Sequence, residues 1–406
     1  MVQSIRRWAP IVAAVLAPVL CLSPAAPSAP KYKVLYRFTG ADGAGPYGGV
    51  VFDQSGNLFG TTAGGGTTGY GVVFKLNPRG SDTWGETVLH NFDFHEEGAA
   101  PTGGVILDGA GNLYGTAPYG GVHDGGDVFE LRPSQTGWTE TILYSFGAHS
   151  NDAYAPSAGL VMDNMGDLYG TGHAVFELMP DSGGWSEKVL HRFCSWSNCR
   201  DGDGPFAGLI LDASGNLYGT TEDGGGKCGS CGVVFELTPT TGGRWEERVL
   251  HAFDDNGKDG VTPGGGALTM DGSGNLYGTT ETGGCCGGTV YKLTPNPDGR
   301  WKETILHNFK PGTGGSFPVA GVVMDKAGNL YGTTVDGGSA SCDCGVVYKL
   351  SPGAKGKWTY SVLHRFNNID GAVPAGNLTL DDKGNLYGGT VLGGTTADGV
   401  IFELTP

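Results

Sequence analysis

Beyond residue 30, apolar positions come in short strand-like runs separated by glycine, aspartate and asparagine, the residues that favour turns. One stretch shows the pattern: Gly104-Val105-Ile106-Leu107-Asp108, then Asn112 to Thr116, then Asp127-Val128-Phe129-Glu130-Leu131, then Trp138 to Phe146. The unit repeats. Its turn and second strand recur as Asn57-Leu58-Phe59-Gly60, Asn112-Leu113-Tyr114-Gly115, Asp167-Leu168-Tyr169-Gly170, Asn216-Leu217-Tyr218-Gly219, Asn275-Leu276-Tyr277-Gly278, Asn329-Leu330-Tyr331-Gly332 and Asn385-Leu386-Tyr387-Gly388. Successive copies stand 55, 55, 49, 59, 54 and 56 residues apart. Four short strands in each of seven copies predict an all-β chain, a seven-bladed β-propeller with four antiparallel strands per blade.

The first turn of each copy has its own chemistry. Asp108 can accept hydrogen bonds from the backbone ahead of it, while Gly111 takes the left-handed conformation. The same Asp-x-x-Gly signal sits at Asp53, Asp163, Asp212, Asp271, Asp325 and Asp381. Small residues open the first strand of each blade, as at Gly48-Gly49, Gly103-Gly104 and Ala158-Gly159, where seven strands converge near an axis and bulk does not fit. Val34-Leu35-Tyr36-Arg37-Phe38 matches the fourth strand Val88-Leu89-His90-Asn91-Phe92, and the chain ends on a third strand, Val400 to Leu404. The N-terminal strand is therefore expected to complete the last blade, leaving no open edge. Residues 31–406 read as one propeller, since an unbroken period argues against two domains.

The first thirty residues differ from the rest. Arg6 and Arg7, the apolar run Ile11 to Leu22 and the small residues Ser23 to Ala29 form a signal-peptide layout, so residues 1–29 are expected to be cleaved. The apolar run is too short for a confident membrane span, no second one follows, and Cys21 lacks the small residue that precedes a lipidated cysteine. Without Arg6 and Arg7, 23 of the 25 basic residues remain against 41 acidic ones, a net charge near −18 that excludes nucleic acid as a partner. Glycine at 76 of 406 residues, with no Gly-X-Y period, fits dense turns between short strands.

The elements Gly-Asn-Leu-Tyr-Gly-Thr-Thr and Gly-Val-Val-Phe-x-Leu, at 215–221 and 232–237, resemble the GloVer choice-of-anchor tandem-repeat family over essentially the whole mature chain. That resemblance implies a secreted or surface-displayed bacterial propeller with no established activity. The family's C-terminal anchor has no counterpart before Pro406, which implies release into the periplasm or medium or retention by other means. The Gly-Val-x-x-Asp and Gly-Asn-Leu-Tyr elements are also similar to NHL and lactonase-type propellers, a generic likeness that carries over no catalytic residue.

Strand order places the fourth-to-first and second-to-third connections on one face, and these loops are long and variable, as binding loops on a rigid scaffold are. Five histidines, His90, His191, His251, His307 and His364, share one repeat position with Tyr36 and Tyr144 and read as packing or a recurring hydrogen bond. His95, His123, His149 and His173 fall instead in the loops of blades 1 to 3 and are candidate metal ligands, although no ligand spacing joins them. Eight cysteines occupy the loops of blades 3 to 6. Cys194 with Cys199 and Cys228 with Cys231 are plausible local disulfides. Cys285, Cys286, Cys342 and Cys344 sit too close in sequence for comfortable self-pairing, so bridges between the loops of blades 5 and 6 are expected, with a soft-metal site as the alternative.

Six tryptophans, residues 84, 138, 185, 245, 301 and 358, open fourth strands and belong to repeat packing. Trp196 breaks that pattern, standing between Cys194 and Cys199 where it is suited to stack on a sugar or enter a partner. Asp201 and Asp203, and the run Asp254-Asp255-Asn256 with Asp259, offer oxygen ligands for calcium without EF-hand spacing, and no other cofactor is indicated. No Gly-x-Ser-x-Gly elbow occurs, and the glycine-rich stretches join strands to strands, so neither a serine nucleophile nor a phosphate loop is present. The expected function is a monomeric, secreted, periplasmic or surface-bound binding module rather than an enzyme. It would present Trp196, Tyr70, Tyr119, Tyr154, Asp201 and Asp203 to an extracellular glycan or protein. The alternative is a metal-assisted polysaccharide or lactone hydrolase or lyase with acids converging at the channel mouth.

Overall fold

A computed structural model describes residues 29–80, 83–226, 228–339 and 341–406, so all but the last residue of the expected signal segment lies outside the described residues. Seven antiparallel sheets of four or more strands stand in a ring. In blade 1, Val51–Phe52, Leu58–Thr62, Val72–Pro78 and Trp84–Asn91 pair in that order from the inside outwards. Blades 2 to 6 repeat this order over 105–145, 161–191, 210–252, 269–308 and 323–365. Blade 7 takes Thr379–Leu380, Leu386–Thr390 and Val400–Thr405 from the C-terminus and closes on Lys31–Arg37, with Lys31 opposite Thr405 and Arg37 opposite Val400. Two details go beyond the repeat: Gly260–Pro263 adds a strand to blade 5 along its long second strand, and Gly338–Ser339 pairs with Cys342–Asp343 in a small hairpin on blade 6.

The Asp-x-x-Gly turn forms as its residues dictate. In blade 2, Asp108 Oδ1 accepts the amides of Ala110 (2.9 Å) and Asn112 (2.8 Å), its Oδ2 accepts the Asn112 side chain (2.8 Å), and Gly111 sits at φ +90°. At the axis the inner strands crowd one another: a methyl group on Gly48 would fall 2.5 Å from the Gly104 Cα.

Seven buried apolar clusters fill the seven gaps between blades. Each contains one aromatic pair of the same kind, an aromatic from just beyond an outer strand set against the third strand of the following blade. The pairs are Phe38–Phe74, Phe92–Phe129, Phe146–Phe176, Phe193–Phe235, Phe253–Tyr291, Phe309–Tyr348 and Phe366–Phe402, with ring centroids 4.8 to 5.4 Å apart. Blades are thus plugged into each other by edge-on or tilted rings, the arrangement their quadrupoles favour. Among the described residues no helix is long and apolar enough to cross a membrane.

Candidate functional site

Because each blade begins with glycine or alanine, the seven inner strands leave a hollow about the axis. It is a cavity of about 930 Å³, lined by residues of the fourth-to-first connections and by several second-to-third loops. Its wall is uneven. Tyr47, Tyr119, His173 and Phe206 make an aromatic arc over blades 1 to 4, and Val319, Val335 and Val373 cover the opposite side. Tyr119 is 59% exposed, and His173 is held by a face-to-face stack on Tyr154 at 4.1 Å. Among the described residues no aspartate, glutamate, lysine or arginine lines the cavity. Polar contacts come from Thr102, Ser157 and Asn377. The Asn377 Oδ1 is engaged by the Gly321 amide at 2.9 Å, while the Ser157 hydroxyl has no protein partner.

A smaller hollow of about 90 Å³ adjoins the cavity and shares Phe206 and Gly265 with it. Glu222 and Glu281 line it from blades 4 and 5. Burial pushes the Glu222 carboxyl up, and the charges of Asp223 and Glu281 push it further.

Of the residues expected from sequence, Tyr119 lines the cavity and Tyr154 supports it through His173. Tyr70 leans on Phe94, centroid to centroid 5.4 Å, and Trp196 is 44% exposed in its bridged loop; neither lines the cavity. Asp201 is not available to a ligand. It is buried, and its carboxylate accepts the Ser195 hydroxyl (2.7 Å), the Ser195 amide (2.9 Å) and the Trp196 amide (3.2 Å), so it folds the loop that carries Trp196. Asp203 is exposed and joins Asp223 through backbone hydrogen bonds. Asp259 turns inward as well, but only its Oδ2 accepts a backbone amide, that of Asp254 at 3.1 Å, and its Oδ1 has no hydrogen-bond partner. Both acidic loops therefore turn a carboxylate inward onto backbone donors, which opposes the calcium reading at those positions.

The four loop histidines are not assembled. His95 contacts Phe94, the His149 amide is bonded to Asp152, and none of the three-ligand groups among the described residues includes His95, His123, His149 or His173. The cysteines correct one expectation. Cys194–Cys199 and Cys228–Cys231 are bridged, but Cys342 pairs with Cys344, their Cα atoms 5.2 Å apart, while Cys285 and Cys286 are free thiols. The reason is local: the hairpin at Gly338–Ser339 and Cys342–Asp343 draws both sulfurs into the cluster between blades 6 and 7, away from blade 5. Cys285 instead donates its thiol to the Phe309 carbonyl.

Sequence reasoning missed Tyr47, Phe206, Glu222 and Glu281. A signal existed at two repeat positions. One directly follows the proline of the entry loop, as in Pro46-Tyr47 and Pro205-Phe206; the other directly follows the Gly-Thr-Thr element, as in Thr221-Glu222 and Thr280-Glu281.

No curated protein sequence matches this chain. Among solved structures, the calcium structure of Trichoderma reesei carbohydrate-active enzymes family AA12 is similar at 12% identity, over 94% of this chain and 97% of that one, with a TM-score of 0.43. The model of the Gloeobacter/Verrucomicrobia repeat matches residues 24–231, 172–300 and 226–406, overlapping spans that take in every blade, and the chain belongs to that repeat family.

Proposed function

We propose that this propeller is an exported binding module that seats a neutral carbohydrate in its axial cavity. The observation that carries the reading is the uncharged cavity with an aromatic arc on one wall and the unpartnered Ser157 hydroxyl beside it. Sugar rings present apolar faces that stack on aromatic side chains and hydroxyls that need donors and acceptors, which Tyr47, Tyr119, Ser157 and Asn377 supply. A chain with a formal charge of −16 disfavours acidic polysaccharides as ligands. Three disulfides support an oxidising, extracellular setting. Glycan-array screening followed by calorimetry tests the reading. Tyr119→Ala is expected to weaken the captured glycan by about tenfold, the loss of one stacking contact. Trp196→Ala, outside the cavity, leaves it unchanged. A blank array, or equal affinity in Tyr119→Ala, overturns the reading.

One observation favours a second reading, cleavage of the seated sugar: the Glu222 and Glu281 pair beside Phe206, where burial and the neighbouring acids push the Glu222 carboxyl up. Turnover on a polysaccharide panel that disappears in both Glu222→Gln and Glu281→Gln supports it, and no turnover in the parent removes it.

A further inference from the structure

The histidine position of the repeat meets a residue of the next blade, the one two places after the tryptophan or, on the closing strand, Tyr32 at the equivalent place. Where that residue is tyrosine it stacks flat on the imidazole, as Tyr360 does on His307 at 4.0 Å and Tyr32 on His364 at 3.7 Å. Where it is Glu140 or Glu303, a carboxylate approaches the ring nitrogen. Two interfaces complete a set. His90 Nε2 lies 3.1 Å from Glu97 Oε2 and 3.4 Å from Glu140 Oε1, and His251 Nε2 lies 3.3 Å from Asp259 Oδ2 and 3.9 Å from Glu303 Oε1. Within each set the three ligand atoms lie within 4.8 Å of one another.

Hydrogen bonding does not complete the first set. One imidazole N–H serves one carboxylate, the Glu140 side chain is only 9% exposed, and its Oε1 has no hydrogen-bond partner. Among the described residues no lysine or arginine pairs with Glu97 or Glu140. Two acid side chains turned onto one imidazole at a buried point offer a cation three donors. The spacing fits one: ligand atoms about 2.0–2.1 Å from a tetrahedral zinc stand about 3.3 Å apart, and imidazole with carboxylates is a zinc-class donor set. Asp259 in the second set is likewise almost wholly buried, with Oδ1 unpartnered.

We propose that His90, Glu97 and Glu140 form a zinc-class divalent cation site that clamps blade 1 to blade 2, and that His251, Asp259 and Glu303 form a second copy between blades 4 and 5. The remaining histidines of this position lack the set. His307 has no acid partner, Tyr32 takes the place of a glutamate beside His364, and the Asp201 facing His191 is engaged by Ser195 and Trp196.

The test is zinc titration of the chelator-stripped full chain by calorimetry, with cobalt(II) as a visible-absorption probe of tetrahedral coordination. Two equivalents are expected in the parent and in His364→Ala. Glu97→Gln, in a half-exposed loop, and Glu303→Gln are each expected to retain one. If Glu303→Gln does not fold, Glu97→Gln decides alone. One equivalent in the parent, lost in Glu97→Gln, keeps the first site and removes its copy. No saturable zinc binding, or two equivalents retained in Glu97→Gln, overturns the proposal.

Discussion

Asp271 illustrates what single residues contribute. Burial pushes its carboxyl up, but hydrogen bonds from the Asn275 side chain and amide and from the Ser273 amide outweigh burial and hold it below the ordinary aspartate value of 3.8. Asp271→Ala leaves those donors without an acceptor and is expected to cost about 1–2 kcal/mol, measured by urea unfolding. This turn was legible in the sequence because donors and acceptor lie within four residues of one another. The partners of His90 were not. Its repetition told of packing, but Glu140 stands 50 residues further on, and the register between two blades is set by how they meet rather than by local pattern. Tyr47 and Phe206 escaped for another reason: aromatic residues in a glycine-rich loop look alike until the axis shows which ones face inwards.

The aromatic plugs make one prediction at the scale of the blade. Phe253 fills the gap between blades 4 and 5 against Tyr291, and truncation to alanine is expected to lower stability by about 3–5 kcal/mol while leaving strand content by circular dichroism intact. The closing strand makes another. Deleting residues 31–38 removes Lys31–Arg37 and Phe38 and uncovers the edge of Val400–Thr405, so the truncated chain is expected to self-associate in light scattering where the parent does not. A monomeric truncated chain would refute this account of closure. Blade number, strand order and closure could all be read from the repeat, whereas the Cys342–Cys344 bridge could not, since it depends on a hairpin that the other blades lack.

Stability of the whole molecule should follow acidity in two opposite limbs. Hydrogen bonds overcome burial to hold Asp53, Asp108, Asp212, Asp271 and Asp325 below 3.8, so their contribution is present above that pH and fades as pH falls through the folded values. Burial pushes Glu86 up to about 7 and Glu140 and Glu247 up to about 8 from 4.5, so these keep their protons in the fold and weaken it as pH rises across that interval. The melting temperature of the metal-free protein is therefore expected to peak at roughly pH 4–5 and decline on both sides, as calorimetric scans would show. A maximum above pH 8 would contradict it.

The shared seventh blade also bears on how such a ring is inherited. Since Lys31–Arg37 belongs to the blade that Val400–Thr405 builds, the unit copied along the gene is offset from the blade by one strand: an outer strand first, then the three inner strands of the next blade. Gain or loss of one such unit anywhere changes the number of blades by one and still leaves every blade whole. Circumference can drift between relatives without ever passing through an open ring.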